Sequence, residues 1–205
     1  MPYSFKTFAT FGAATVLTVG LSACSVNIPP NMFGGIPANE TFVRGMIPHH
    51  KQAVEMSVLA LSPSAKSSPQ VKKIATQILK AQGPEIQEME TWSQEWMQQD
   101  AARGEHHGDN HGGHDMGGKP MPGMMTPKQM VNLEEASGEN FDKLWLKMMI
   151  SHHKGAIVMS EQVKAESTHN EVVGLANTII DGQRAEIKKM RKIWNSHWNP
   201  PPVRG

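Results

Sequence analysis

Histidine and methionine recur in this chain at spacings that suit a metal ion. The run Met46-Ile47-Pro48-His49-His50-Lys51-Gln52-Ala53-Val54-Glu55-Met56-Ser57 returns as Met149-Ile150-Ser151-His152-His153-Lys154-Gly155-Ala156-Ile157-Val158-Met159-Ser160. Each copy is followed by Gln-x-x-Glu-Ile-x-x-Met, first as Gln82, Glu85, Ile86 and Met89, then as Gln183, Glu186, Ile187 and Met190. Imidazole and thioether ligands without thiolate select copper, above all Cu(I), or silver as its surrogate, whereas thioethers suit zinc poorly. Imidazole alone also accepts Cu(II). The candidate ligands are therefore Met46, His49, His50, Met56, Glu85 and Met89, and in the second copy Met149, His152, His153, Met159, Glu186 and Met190. A third group, His106, His107, His111, His114, Met116, Met121, Met124 and Met125, lies in a glycine-rich stretch without apolar periodicity. Read as a flexible loop, that stretch has no core for its methionines to fill, so they are expected to be ligands. The competing reading is a solvated Gly/His spacer.

A repeat of this size implies duplication of one helical hairpin, with both halves folded alike. The spacing predicts a first helix capped by Asn39 and running to about residue 61, where Ser62-Pro63-Ser64 breaks it. Ser68-Pro69 opens a second, to about residue 99. A short helix is expected after Thr126-Pro127. A third long helix follows Ser137-Gly138, and a fourth is capped by a Thr168-x-x-Glu171 box and ends near Trp198. Four such helices make an all-α, antiparallel four-helix bundle, with repeats over residues 39–99 and 139–198 and the loop at 103–125 between them.

At about 100° per residue, Phe42, Met46, His49, Ala53 and Met56 share one stripe, and His50 falls at its margin. Phe141, Trp145, Met148, His152 and Met159 do the same in the second copy. On the partner helices, Val71, Ala75, Ile78, Gln82, Glu85 and Met89 align, as do Val172, Ala176, Ile179, Gln183, Glu186 and Met190. A buried carboxylate needs a partner. The nearest expected ones are His49 for Glu85 or Gln82, and His152 for Glu186 or Gln183. A His–Glu hydrogen bond that only fixes register would satisfy the same groups without metal, and methionine at helical spacing is also ordinary core filler.

The chain has 205 residues, enough for one domain with a real core, and its formal net charge of +1 gives no bulk field for nucleic acid. The single cysteine, Cys24, excludes an internal disulfide, a Cys-rich zinc site and an iron–sulfur cluster. It closes an N-terminal segment in which Lys6 precedes an apolar run over residues 8–20, too short to span a membrane. Residues 1–23 therefore read as a secretion signal. Leu21-Ser22-Ala23-Cys24 resembles a lipobox, so Cys24 is the expected acylation site, residues 24–37 a tether and residues 199–205 a tail. An ordinary signal with an incidental cysteine is the alternative. Either way a periplasmic or cell-envelope location is expected.

The paired motifs, together with Met130-x-x-Leu133-x-x-Ala136-Ser137-Gly138-x-x-Phe141-Asp142, resemble the bacterial family called domain of unknown function 305, over roughly residues 38–198. The resemblance implies a ferritin-like four-helix bundle. It also implies copper or silver binding in the periplasm, since some Met-rich members are copper-resistance proteins. Ferritin-like di-iron sites take carboxylates from two helices and Glu-x-x-His from the others. This chain has no Glu-x-x-His and two core carboxylates, which argues against di-iron chemistry.

The leading expectation is a non-enzymatic envelope protein that buffers, sequesters or passes on Cu(I), with metal ions as its partners, an unidentified delivery protein, and the membrane if Cys24 carries lipid. A ferritin-like cuprous oxidase and a structural bundle with a metal-free polar core are the alternatives.

Overall fold

The computed structural model describes residues 36–103 and 121–199. Five helices account for nearly all of them: α1 Ala38–Leu61, α2 Pro69–Arg103, α3 Pro127–Glu135, α4 Gly138–Glu166 and α5 Asn170–Trp198. The protein is all-α, with no strand among the described residues. α1 packs on α2 and on α4, and α5 packs on α4 and on α2, so each long helix has two long neighbours. The short α3 rests on α4. No helix among the described residues is long and apolar enough to cross a membrane.

Local chemistry explains most helix ends. Thr126 and Gln129 form a reciprocal capping box at α3, with Pro127 at its first position. Ser68 Oγ accepts from the Val71 amide at the start of α2, while both carboxylate oxygens of Asp142 accept from the Ser68 amide. That buried aspartate ties the start of α2 to α4. Gly138, at φ +59, donates from its amide to the Ala65 carbonyl and turns the chain into α4.

Three boundaries depart from expectation. α1 begins at Ala38 after Pro37, with no side-chain cap, so Asn39 lies inside the helix. α5 is preceded by His169 rather than capped by Thr168, because Ser167 Oγ takes the His169 amide instead. α2 runs to Arg103, past the expected end near residue 99, since no breaker lies between. Two prolines are accommodated within helices, Pro48 in α1 and Pro84 in α2.

The core divides in two. One apolar cluster gathers Met56, Ile78, Phe141, Trp145, Met149, Ile187 and Met190. The other gathers Phe42, Met46, Met89, Trp92, Met159, Val172 and Ile179. Trp145 Nε1 donates to the Met56 carbonyl at 2.9 Å and locks α4 to α1 within the first cluster.

Candidate metal centre

In α1, Met46 belongs to the second cluster and Met56 to the first, so His49 and His50 lie at the waist between them. In α4 the order reverses, Met149 to the first and Met159 to the second, with His152 and His153 between. Met89 and Met190 complete the arrangement, giving each side of the histidine waist three methionines of the repeated motifs. All four histidines have 0% exposure. His50 is thus fully covered rather than marginal, because α1 is enclosed by both α2 and α4 and its buried arc is wider than one stripe.

The pairing also differs from the expected one. The second histidine of each pair, not the first, meets the carboxylate. His50 Nε2 donates to Glu85 Oε2 at 2.9 Å, and His153 Nε2 donates to Glu186 Oε2 at 2.8 Å. A carboxylate only accepts, so each ring carries its proton on Nε2. Each bond lies within its own repeat. The first histidines face each other across the repeats, with the His49 and His152 ring centroids 3.8 Å apart. The reason is geometric: the α1–α4 contact joins the two repeats at the stripe centres, while the flank of each stripe turns toward its own partner helix.

This leaves an unusual number of buried polar atoms without partners. His49 Nε2 donates to the Pro122 carbonyl at 3.0 Å, but its Nδ1 has no partner. The Nδ1 atoms of His50 and His153 are equally bare, and His152 forms no hydrogen bond from either ring nitrogen, although the His49 carbonyl is nearby. Gln82 and Gln183 are buried with their amides unpaired, as are the hydroxyls of Ser57 and Ser160. Buried polar groups are normally satisfied, so such a concentration calls for a function or a ligand. Burial, reinforced by the electrostatics of the adjacent His50 imidazole and opposed by the Pro122 bond, pushes the His49 pKa down to about 3. Burial and then the neighbouring imidazoles, His49 first, hold His152 well below the ordinary histidine range. Both rings are therefore uncharged at neutral pH, the state in which imidazole ligates metal.

Whether these residues fit a metal depends on its coordination number. Among the described residues, no three His, Cys, Asp or Glu side chains converge on one point. A zinc-type or di-iron site is not built here. Bare imidazole nitrogens beside buried thioethers suit a soft ion of low coordination number instead.

The chain after the glycine-rich stretch is part of this site. Met121, Pro122, Gly123, Met124 and Met125 form a strap lying on α1 and α4 over the histidines. Gln52 grips it twice, its amide nitrogen donating to the Met125 carbonyl at 2.9 Å and its oxygen accepting from the Met125 amide at 2.7 Å. On the other side, a Cβ at Gly155 would collide with the Pro122 carbonyl, so only glycine admits the strap there. Gly123, at φ +77, turns the strap and would bring a Cβ to 2.6 Å from the Ser151 carbonyl. Met121 is 4% exposed and Met125 8%, each inserted into a different apolar cluster. The expectation that these methionines have no packing role is therefore wrong for Met121 and Met125, and Met124 is partly buried against the second cluster. Five further loop candidates, His106, His107, His111, His114 and Met116, lie outside the described residues, as does Cys24. Sequence reasoning overlooked Gln52, Gly155 and Pro122. A signal was present, because position 52 against 155 is one of the few places where the paired motifs differ, Gln in one and Gly in the other.

Fold and site together define a helical histidine–methionine protein, and comparison gives the family. The family model described as Domain of unknown function (DUF305) matches residues 39–194, and the chain belongs to that family. Among solved structures, CopM in its Cu(I)-bound form is 29% identical, covering 78% of this chain and 97% of its own, with a TM-score of 0.59. CopM has also been solved in Ag-bound and Cu(II)-bound forms. A DUF305 protein from Streptomyces coelicolor, described as secreted, is 26% identical over 78% of this chain and 92% of its own, with a TM-score of 0.65. A DUF305 fragment from Deinococcus radiodurans is 26% identical over 78% and 97%, with a TM-score of 0.61. No curated protein sequence matches the chain.

Proposed function

We propose that this chain is a copper- or silver-binding protein of the cell envelope, which buffers, sequesters or hands on Cu(I) and so supports copper tolerance. The observation that carries the proposal is the histidine waist: four buried imidazoles with unpartnered nitrogens between two clusters of motif methionines. CopM, similar over most of this chain, has been crystallised with Cu(I), Cu(II) and silver, which supports the choice of metal. We read the four long helices as an antiparallel, ferritin-like bundle of two hairpins, which holds the two histidine pairs face to face. The role is binding rather than catalysis. The naming of the Streptomyces relative as a secreted protein and the N-terminal segment closing at Cys24 support a location outside the cytoplasm, and the lipobox-like Leu21-Ser22-Ala23-Cys24 is the reason to place a lipid anchor at that cysteine.

A specific observation favours a second reading, a metal-free core that only fixes helix register. The His50–Glu85 and His153–Glu186 bonds are complete without metal, and among the described residues no three His, Cys, Asp or Glu side chains converge on one point.

The test is Cu(I) bound per chain against a competing chelator, with oxygen consumption followed in parallel. Deleting residues 104–120, which leaves the docked strap, should lower stoichiometry but keep the waist sites. Replacing His49, Met56, His152 and Met159 in a chain that still folds should weaken what remains. If the intact chain competes no better than these replacements, the core is structural. Copper-dependent oxygen uptake would move the protein into the oxidase class.

A further inference from the structure

The two repeats carry opposite charge on equivalent outer surfaces. A shallow open groove of about 870 Å³ runs along α5 and is lined by Lys154, Arg184, Lys188, Lys189, Arg191 and Lys192. All six side chains are exposed. The first-repeat residues at the same positions are Lys51, Gly83, Gln87, Glu88, Glu90 and Thr91, one cation and two carboxylates where the second repeat has six cations. The consequence is visible at one matched pair. Lys51 Nζ lies 2.7 Å from Glu90 Oε1, whereas its counterpart Lys154 has Arg191 at the position of that glutamate. Arg184 pairs with Glu161, and Lys189 donates to Gln77, but no described carboxylate pairs with Lys154, Lys188, Arg191 or Lys192. One turn beyond Lys154, the exposed Val158 replaces Glu55 of the first repeat. Like charges so crowded along one groove repel, and among the described residues a carboxylate pairs with Arg184 but with none of Lys154, Lys188, Arg191 and Lys192.

We infer that this groove is a docking surface for the anionic headgroup layer of a membrane. The cations spread over two turns of α5, roughly 12 Å, in a shallow open groove that suits a charged plane better than a single enclosed anion. An exposed valine beside them provides an apolar contact. Clusters of four to eight Lys/Arg on a helix are a recurrent solution for anionic lipid. Residues 25–37 between Cys24 and α1 reach at most about 45 Å, so a chain lipidated there would stay within range of the bilayer. The inference stands apart from metal binding and would survive its failure.

The experiment uses the full chain with vesicles of phosphatidylcholine alone or mixed with phosphatidylglycerol, so that the apolar N-terminal segment is common to every sample. Acetylation of individual lysines is read by mass spectrometry alongside sedimentation. Anionic vesicles should protect Lys154, Lys188 and Lys192 but not Lys72 or Lys73, and added salt should remove the protection. K188E/K192E should reduce the gain in binding from phosphatidylglycerol at least about tenfold. K72E/K73E, which changes net charge equally, should leave it nearly intact. Equal losses in the two variants, or no protection on anionic vesicles, overturn the inference. So does loss of protection with millimolar inorganic phosphate, which would mark a free-anion site. Protection by polyglutamate but not by vesicles would assign the groove to an acidic protein instead.

Discussion

Position for position, the two repeats agree inside and disagree outside. Both keep the histidine pair, the flanking methionines, the buried serine and the glutamate that receives the second histidine. They part at Gln52 against Gly155, where the strap docks, and at Glu90 against Arg191, where the surface changes sign. A duplicated hairpin that only needed a stable core would be free to drift inside as long as volume was kept. Retention of polar, costly residues at the centre, with divergence at the rim, places the shared chemistry at the waist. It leaves each outer surface to acquire its own role.

The largest expected effect tests whether the waist is symmetric. His49 titrates near 3 when folded and His152 well below its ordinary value, so between pH 6.5 and those values the unfolded chain binds protons the native chain refuses. Stability contributed by these rings is thus complete above pH 6.5 and is lost as pH falls. The slope is up to about 1.4 kcal/mol per pH unit for each ring. Urea melts from pH 7 to pH 4 should show it. His49→Gln and His152→Gln should each remove about half of the slope, and an effect confined to one of them would break the symmetry.

Next in size are the carboxylates. Glu85→Ala or Glu186→Ala leaves a buried imidazole N–H without an acceptor, at a cost of about 2–3 kcal/mol each by denaturant unfolding. The two bonds are nearly equal in length and their carboxylates nearly equal in exposure, so the costs should match. A large difference would mean that one hairpin is stabilised elsewhere.

The carboxylate pairing also marks the limit of what the sequence revealed. Helix number, approximate ends and the burial of Gln82, Gln183, His49 and His152 were legible, because periodicity reports which face of a helix is covered. Periodicity does not report which neighbour covers it. Assigning Glu85 to His49 treated each stripe as meeting a single partner, but a helix with two long neighbours divides its buried arc between them. The strap was illegible for a different reason. Met121-Pro122-Gly123-Met124-Met125 has no period at all, and its order comes from the shape of Gly155 and the two hydrogen bonds of Gln52.

Those two residues make the third comparison. Gly155→Ala replaces the better-tolerated space with a methyl directed at the Pro122 backbone, so the strap must lift even though alanine favours the helix. Gln52→Ala removes both bonds to Met125 but leaves the space, costing about 1–2 kcal/mol. Hydrogen exchange over residues 121–125 should quicken in both variants. The larger change is expected for Gly155→Ala, accompanied by exposure of Met121 and Met125 to oxidation by peroxide. If Gln52→Ala is the more disruptive, the strap is held by its polar grip rather than by fit.

The smallest effect has the opposite sign and calibrates the one before it. Gly182 lies within α5, with nothing within 4 Å of where its Cβ would be and no positive φ to require glycine. Glycine inside a helix costs about 1 kcal/mol relative to alanine, through the backbone entropy it loses on folding. Gly182→Ala should therefore raise the denaturation midpoint at an unchanged denaturant slope, by an amount equivalent to about 0.5–1 kcal/mol. The same substitution one helix away, at Gly155, then differs only in what the methyl meets. The gap between the two values measures how firmly the strap is seated over the histidines, free of the helix propensity common to both.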